Sequence, residues 1–259
     1  MREIAFTQKL VKHNQSSIII AAAGKGSRLM SNKPKILYSL AGKTILEWIY
    51  GYCSEICEEI ILVLSPEGKK KVVPFIDKKG YKNIKVAIQS NPVGMADAIK
   101  IGLKKNTKDN IFVVWGDQPC YTKNTLEFMS SSLDDIKECQ MIFPALKTFN
   151  PYVHYETDTS GLLTGVLEKR ENDIMPNFGL TDCGLFIIKK NSLENIFTKI
   201  GSLEPGRITK EKSFIRLLPT LEKDDESIRY FFTSSKLECL SINTQEEAKI
   251  VENYLQSNN

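Results

Sequence analysis

The chain has 259 residues, and its 35 basic and 31 acidic side chains leave a formal net charge of only +4. A chain of this length can bury a sizeable core without support from disulfides or metals. Because the Lys and Arg residues are spread along the chain rather than massed in one block, we expect no nucleic-acid partner. No run of about 18 apolar residues is present, and residues 1–15 lack the apolar stretch of a secretory signal, so we expect a cytoplasmic protein without a membrane segment.

Histidine and cysteine are scarce, which limits the available chemistry. The two histidines, His13 and His154, are too few for a histidine-rich metal site or a histidine acid–base pair. The six cysteines contain no CxxC pair, and we expect all of them to be reduced thiols. Cys53 and Cys57 lie four residues apart on a predicted helix, where ordinary packing is favoured over a metal site.

Residues 17–115 alternate between short apolar runs and segments of helical length. The apolar runs are rich in β-branched residues and have the length of buried strands, as in SIIIAAA, IILVL, IKVAI and IFVVW. Strands of this kind separated by helices are typical of βαβ units and of a parallel sheet covered on both faces. The first half therefore predicts a doubly wound α/β fold.

After residue 140 the pattern changes to longer strand-like stretches, which predict an antiparallel or mixed insertion added to the sheet. These stretches are 141–149, 162–169 and 180–188, with a turn-rich piece at 150–161. The remaining elements are expected as helices near 190–202 and 210–221, a strand pair near 228–241 and a closing helix at 244–256. We expect one domain over 16–259, preceded by a polar leader over 1–15 that is mobile or lies against the surface.

The segment AAAGKGSRLMSNKPK, residues 21–35, directly follows the first predicted strand. In open α/β sheets, ligands bind at the carboxyl ends of the strands. Small residues there let the backbone approach a ligand closely and present its N–H groups to an anion, and basic side chains add positive charge. The small residues are Ala22, Ala23, Gly24 and Gly26, and the basic ones are Lys25, Arg28 and Lys35. Such a loop is suited to bind a triphosphate.

Two other phosphate loops fit this region less well. A dinucleotide-binding GxGxxG motif would need a third glycine where Leu29 stands. The residues AGKT at 41–44 are similar to the end of a Walker A loop, but Leu37 occupies the position of its first glycine. We therefore interpret residues 41–44 as a turn that opens the helix around Trp48.

The segment IIIAAAGKGSRLMSNKPKIL, residues 18–37, closely resembles the signature of the sugar-nucleotide pyrophosphorylases, above all the uridylyltransferase half of the bifunctional N-acetylglucosamine 1-phosphate enzyme. The resemblance implies a Rossmann-like fold of the nucleotide-diphospho-sugar transferase type, with a mixed, mostly parallel sheet, helices on both faces and a smaller β-rich insertion. It also implies Mg²⁺ as cofactor, and catalytic contacts from Arg28 and Lys35 to the nucleotide phosphates. The nucleotide half would cover about 16–138 and the acceptor half about 139–259.

Further matches follow in the same order as in that family. Gln89 and Gly94, before a predicted helix, resemble the family's glutamine that reads the base and the glycine that sits under it; Met95 departs from a common threonine. Asp117, after the strand IFVVW, matches an aspartate that binds both nucleotide and metal. Asn243, before the closing helix, matches a residue that completes the metal site.

The predicted acceptor-binding residues rest on shorter matches. VLEKRE at 166–171 resembles a strand whose glutamate binds the sugar, which assigns that role to Glu168 and places Lys169 near the acceptor phosphate. TDCGLFII at 181–188 resembles a segment in which an asparagine usually contacts the sugar, and Asp182 stands in its place. This change predicts a different acceptor or a different hydroxyl pattern.

The resemblance covers residues 17–255 and implies a nucleotidyltransferase that couples a nucleoside triphosphate, with UTP favoured, to a sugar 1-phosphate and releases pyrophosphate. The hexapeptide repeats of an acetyltransferase half are not found in these residues, so we expect no acetyltransferase activity. GDQP at 116–119 is also similar to the cytidylyltransferases of molybdopterin, which leaves open a CTP-dependent enzyme acting on a phosphorylated small molecule or cofactor. A non-catalytic sugar-nucleotide sensor is a further alternative, and the sequence leaves the oligomeric state open.

Overall fold

The computed structural model describes residues 1–7, 16–24, 29, 33–91, 93–221, 227–233 and 235–257. The strands in these ranges are β1 Arg2–Glu3, β2 Ser16–Ala21, β3 Ser39–Leu40, β4 Lys43–Thr44, β5 Cys57–Leu64, β6 Ile84–Ile88, β7 Asn110–Trp115, β8 Met141–Phe149, β9 Val153–Thr157, β10 Leu163–Glu168, β11 Phe178–Asp182, β12 Leu185–Lys189 and β13 Ile228–Phe232. The α-helices are α1 Ile45–Cys53, α2 Pro66–Lys79, α3 Met95–Leu103, α4 Lys123–Asp135, α5 Lys190–Thr198 and α6 Gln245–Ser257. Short 3₁₀ helices are Lys35–Leu37, Lys169–Glu171, Ile200–Ser202, Ile215–Thr220 and Lys236–Cys239.

Within the described ranges, nine strands form one central sheet with the order β1-β13-β8-β12-β7-β2-β5-β6, and β11 pairs with β8. The pairs β7–β2, β2–β5, β5–β6, β1–β13 and β13–β8 are parallel. β12 is antiparallel to β7 and β8, and β11 is antiparallel to β8. β9 and β10 form a separate antiparallel pair, which is the smaller β-rich insertion. The predicted mixed, mostly parallel α/β sheet is confirmed.

Both faces of the sheet are covered, as expected for buried parallel strands. In β2 the side chains of Ile18 and Ile20 pack into one apolar layer and that of Ile19 packs into the other, because successive residues of a strand point to opposite faces. The first layer contains α1, α2, α4 and α6, and the second contains α3 and α5. Helix α3 lies so close to β2 that a Cβ atom on Gly102 would be 2.6 Å from Cγ2 of Ile19.

The start of α1 agrees with the interpretation of residues 41–44 as a turn. Ala41 and Gly42 both have positive φ, and they connect the short strands β3 and β4. Thr44 caps the helix reciprocally with Glu47: the Thr44 side chain accepts from the Glu47 N–H, and the Glu47 carboxylate accepts from the Thr44 N–H. This capping box explains why the helix begins at Ile45.

Within the first seven residues, β1 joins the sheet, whereas the sequence predicted a polar leader that is mobile or lies against the surface. β1 pairs in parallel with β13, and the side chain of Met1 is buried. Phe6 stacks on Phe231 with ring centroids 5.5 Å apart. A strand of two residues is too short to show the alternating pattern from which strands are predicted. Residues 8–15 of the expected leader lie outside the described residues.

The second half differs from the prediction at four places. The stretch expected at 180–188 is split into β11 and β12, and β9 lies in the piece expected to be rich in turns. The helix expected near 210–221 is limited to the 3₁₀ helix Ile215–Thr220, and Lys210 has a φ of 60°, which excludes this residue from an α-helix. The second strand of the pair near 228–241 is replaced by the 3₁₀ helix Lys236–Cys239, which Ser235 caps by accepting from the Leu237 N–H. The helices expected near 190–202 and 244–256 are confirmed as α5, extended by a 3₁₀ turn, and α6.

The expectation that all six cysteines are reduced is wrong in part. Cys183 and Cys239 are joined by a disulfide, although they lie 56 residues apart in the sequence. Sequence spacing carries no signal for this pair, since only the fold brings the two residues together. The other four cysteines are free and buried, and burial raises the pKa of the Cys120 thiol to about 12 and that of Cys139 to about 11.

No helix in the described part of the chain combines the length and the apolar character needed to cross a membrane.

Candidate nucleotide-binding and metal site

A cavity of about 120 Å³ lies at the edge of the sheet where β2 and β7 end. Its lining includes the predicted residues Ala22, Gly24, Lys35 and Asp117. The N–H of Gly116 donates to the carbonyl oxygen of Ala21 at 3.0 Å, so the two strand ends are joined directly. The fold thus places the loop after β2 and the aspartate after β7 at the same edge, where ligands bind in open α/β sheets.

Three of the predicted residues converge beside this cavity. Nζ of Lys35 donates to Oδ2 of Asp117 at 2.6 Å and to Oδ1 of Asn243 at 2.9 Å. The side chains of Lys35 and Asp117 are only 14% and 23% exposed, so this ion pair is partly shielded from solvent. Their positions in the sequence lie far apart, and the contact depends on the 3₁₀ helix 35–37, the end of β7 and the start of α6.

Asn243 is held in place through its backbone. The N–H of Ile242 donates to the carbonyl oxygen of Asp117 at 3.0 Å, which ties the segment before α6 to the loop after β7. Oε2 of Glu247 accepts from the N–H groups of Asn243 and Thr244 at 2.6 and 3.0 Å, and the Glu247 N–H donates back to the Thr244 hydroxyl. This capping box at the start of α6 orients Asn243 toward Asp117.

Asp117 and Asn243 fit a magnesium site. Their oxygen atoms already converge on one cation, the Lys35 ammonium, and carboxylate and amide oxygens are the ligands that Mg²⁺ prefers. Among the residues that the structure describes, no three His, Cys, Asp or Glu side chains form a metal cluster. Magnesium commonly takes one or two protein ligands together with substrate phosphates and water, so a two-residue site suits a nucleotide-bound ion.

The residues predicted to read the base also lie together. Gln89 follows β6 and is buried, and its Nε2 donates to the Gly94 carbonyl at 3.0 Å and to Oδ2 of Asp97 at 2.9 Å. Gly94 is the N-cap of α3 and has a φ of 113°, a conformation that favours glycine. The side chain of Glu211 lies against it, since a Cβ atom on Gly94 would be 2.8 Å from Cβ of Glu211.

The predicted acceptor residues lie in different environments. Glu168 is buried at the end of β10, and its Oε1 accepts from the Arg170 guanidinium at 3.0 Å. Its Oε2 lies 2.8 Å from Nε of Arg216, an ion pair in which neither atom has hydrogen-bond geometry with a described partner. The side chain of Lys169 is exposed. Asp182 accepts hydrogen bonds from the Tyr155 hydroxyl and the Gly184 N–H, and its burial raises the pKa of the carboxyl.

Some predicted site residues lie outside the described residues, and some residues that contact the site were not predicted from the sequence. Lys25, Gly26 and Arg28 lie outside the described residues. The contacts of Asp97 and Glu211 around Gln89 and Gly94, and of Arg170 and Arg216 around Glu168, were not predicted. Asp97, in the first turn of α3, and Arg170, two residues after Glu168, lie near their partners in the sequence, whereas Glu211 and Arg216 have no local signal.

A family model for the MobA-like NTP transferase domain matches residues 18–175, which is more than half of the chain. The chain belongs to the MobA-like NTP transferase family. The matched range includes the loop after β2, Gln89, Gly94, Asp117 and Glu168, and the predicted resemblance to nucleotidyltransferases is confirmed at the level of the family.

The chain is similar to the bifunctional protein GlmU of Francisella tularensis subsp. novicida (strain U112), with 25% identity over 243 residues. This match covers 93% of the chain and 52% of the relative, so the chain spans about half the length of the curated relatives it matches. The GlmU protein of Francisella tularensis subsp. holarctica (strain OSU18) is likewise 25% identical, over 245 residues.

Two solved structures share the fold. One is a UDP-glucose pyrophosphorylase complexed with UDP-glucose, with a TM-score of 0.73, 17% identity and coverage of 95% of this chain and 99% of that chain. The other is the 4-diphosphocytidyl-2C-methyl-D-erythritol synthase from Anaerococcus prevotii DSM 20548, with a TM-score of 0.65, 19% identity and coverage of 95% and 100%. At these identities the likeness shows the fold alone.

Proposed function

We propose that this chain is a nucleotidyltransferase that joins a nucleoside triphosphate to a small phosphorylated acceptor and releases pyrophosphate. The observation that carries the proposal is the convergence of Lys35, Asp117 and Asn243 beside the loop that follows β2. A cationic group and two oxygen ligands at this edge of the sheet suit a triphosphate with its magnesium ion. Membership of the MobA-like NTP transferase family supports the same reaction class.

In the proposed reaction, an oxygen of the acceptor phosphate attacks the α-phosphorus of the triphosphate. The new P–O bond forms as the bond to the β-phosphate oxygen breaks, and pyrophosphate leaves with the electron pair. Since the acceptor phosphate is already ionised at neutral pH, the step needs no general base, which agrees with the scarcity of histidine. Lys35, Arg28 and loop N–H groups would position the anionic reactants and neutralise their charge. Mg²⁺ held by Asp117 and Asn243 would supply further neutralisation of the phosphates.

For the acceptor, the resemblance implies a sugar 1-phosphate. We assign acceptor contacts to Glu168, Lys169 and Asp182. Glu168 also positions Arg170, whose guanidinium donates to its Oε1. The substitution of Asp182 for the usual asparagine supports an acceptor whose hydroxyl pattern differs from that of the family. We further propose that the reaction takes place in the cytoplasm.

Two bases are candidates for the nucleotide. The resemblance in the loop after β2 favours UTP. The observation that favours CTP is the carboxylate of Glu211 beside Gly94, in the region proposed to receive the base. Ala22, Ala23, Gly24 and the loop residues Lys25 and Gly26 would contact the nucleotide in either case.

The test is a pyrophosphate-release assay with Mg²⁺, in which UTP, CTP, ATP and GTP are each paired with a panel of sugar 1-phosphates and with phosphocholine. We expect turnover with a pyrimidine triphosphate and one phosphorylated acceptor. Replacing Arg28 by Ala should reduce turnover by about two orders of magnitude or more without unfolding the protein. Asp77→Asn, at an exposed position on α2, is the control and should leave the rate unchanged. Failure of every triphosphate to bind would refute the proposal.

A further inference from the structure

Glu211 lies directly against Gly94, although the two residues are far apart in the sequence. A Cβ atom on Gly94 would be 2.8 Å from Cβ of Glu211, 3.3 Å from its Cγ and 3.4 Å from its carboxyl carbon. The Glu211 side chain therefore passes Gly94, from Cβ to the carboxyl carbon, on the side where a Cβ atom would point, and a residue with a side chain at position 94 would collide with it. About one third of the Glu211 side chain, 33%, is exposed, so its carboxylate can still meet a ligand.

The segment that carries Glu211 is held by hydrogen bonds and ion pairs. The carbonyl oxygen of Glu211 accepts from the Gly206 N–H at 2.8 Å, and its own N–H donates to the Thr209 hydroxyl at 3.2 Å. The buried carboxylate of Glu171 accepts from the N–H groups of Ile208 and Thr209. Arg170 lies 3.5 Å from Oε2 of Glu211. These contacts fix the carboxylate of Glu211 beside Gly94.

The orientation of the Gln89 amide follows from its neighbours. One terminal atom of the side chain lies 3.0 Å from the Gly94 carbonyl oxygen and 2.9 Å from Oδ2 of Asp97. Because both neighbours are acceptors, this atom must be the nitrogen of the NH₂ group. Both N–H groups of the amide are used in this way. Gln89 is buried, and its amide therefore holds the start of α3 through Gly94 and Asp97. Glu211 is the residue that presents a carboxylate acceptor beside Gly94.

Uracil and cytosine differ at N3, which is a donor in uracil and an acceptor in cytosine, and at C4, where a carboxylate such as that of Glu211 would distinguish them. Uracil carries a carbonyl oxygen at C4, which is an acceptor, whereas cytosine carries an amino group with two N–H donors. We propose that Glu211 determines the base preference of this enzyme and selects cytosine over uracil, because its carboxylate accepts from the 4-amino group and repels a 4-oxo group. This inference rests on the proposed function and on Gln89 and Gly94 lying at the base.

Equilibrium binding of CTP and UTP in the presence of Mg²⁺, measured by titration calorimetry, tests the inference. The wild-type protein should bind CTP about tenfold or more tightly than UTP, as expected for one specific base contact. Glu211→Gln should bring the two affinities within about threefold, mainly by strengthening UTP, since an amide can donate to the 4-oxo group. Glu204→Gln removes the same charge from an exposed position on the same segment and should leave the preference unchanged.

A nucleotide analogue tests the same contact without changing the protein. The 2-pyrimidinone analogue of CTP lacks the 4-amino group, and it should bind the wild-type protein about tenfold more weakly than CTP. A preference for UTP in the wild-type protein, an unchanged CTP-to-UTP ratio in Glu211→Gln, or equal binding of CTP and the analogue would each overturn the inference alone. If neither CTP nor UTP binds, the proposed function fails together with it.

Discussion

Because of the carboxyl group of Glu238, we expect the free energy of unfolding to fall as the pH rises from mildly acidic to neutral. Glu238 lies in the 3₁₀ helix Lys236–Cys239 and is completely buried. Its Oε2 accepts from the Thr125 hydroxyl at 2.7 Å, whereas Oε1 has no hydrogen-bond partner among the residues that the structure describes. Burial raises the pKa of this carboxyl from its ordinary value of 4.5 to about 7.

The direction of the effect follows from proton binding. Below pH 4.5 the carboxyl is protonated in both the folded and the unfolded chain. As the pH rises toward 7, the unfolded chain loses this proton while the folded protein keeps it, so unfolding becomes progressively more favourable. The interval between 4.5 and about 7 corresponds to about 3 kcal/mol of unfolding free energy, since a tenfold change in proton affinity is worth about 1.4 kcal/mol.

Glu238→Gln removes this titration while it keeps the shape of the side chain and an acceptor for Thr125. The new amide N–H groups cost about 1–3 kcal/mol at every pH if they stay unpaired, so the quantity to compare is the pH profile rather than the absolute stability. Urea unfolding with linear extrapolation, repeated between about pH 5 and 8, measures that profile. Over this range we expect the free energy of unfolding of the wild-type protein to fall, relative to that of the variant, by most of the about 3 kcal/mol that follows from the pKa shift.

Glu138→Gln is the matched control, because Glu138 is exposed, and its profile should follow that of the wild-type protein. Parallel profiles for the wild-type protein and Glu238→Gln would refute the reasoning, since they would mean that the carboxyl titrates alike in the folded and unfolded states.

Three further predictions follow from the structure. Gly102→Ala should destabilise the protein by about 1–3 kcal/mol in urea unfolding, because the new methyl group collides with Ile19; unchanged stability would contradict the packing of α3 on β2. Thiol labelling of the unfolded, unreduced protein should modify four cysteines and leave Cys183 and Cys239 unmodified until a reductant is added; six labelled thiols before reduction would contradict the disulfide. Asp117→Ala should retain the circular dichroism spectrum but lower pyrophosphate release by about two orders of magnitude or more, and a near-normal rate in a folded variant would exclude the proposed metal role.

The sequence alone determined the fold class and most elements of the first half. Buried parallel strands need apolar residues on both faces, so β2, β5 and β7 are visible as continuous β-branched runs. The turn at 41–44 and the helix that follows it were also predicted, and both depend on near neighbours, since Thr44 and Glu47 form the capping box. The loop after β2 and Asp117 were likewise predicted together, because both follow strands whose carboxyl ends meet at one edge of the sheet.

The tertiary structure alone decided the features that depend on contacts between distant residues. The pairing of β1 with β13, the disulfide between Cys183 and Cys239, and the approach of Arg216 to Glu168 have no local pattern. The same holds for Glu211 against Gly94, the contact from which the base preference is proposed. Periodicity and capping report what a residue does with its near neighbours along the chain, whereas these contacts arise only when the sheet and its connecting segments pack together.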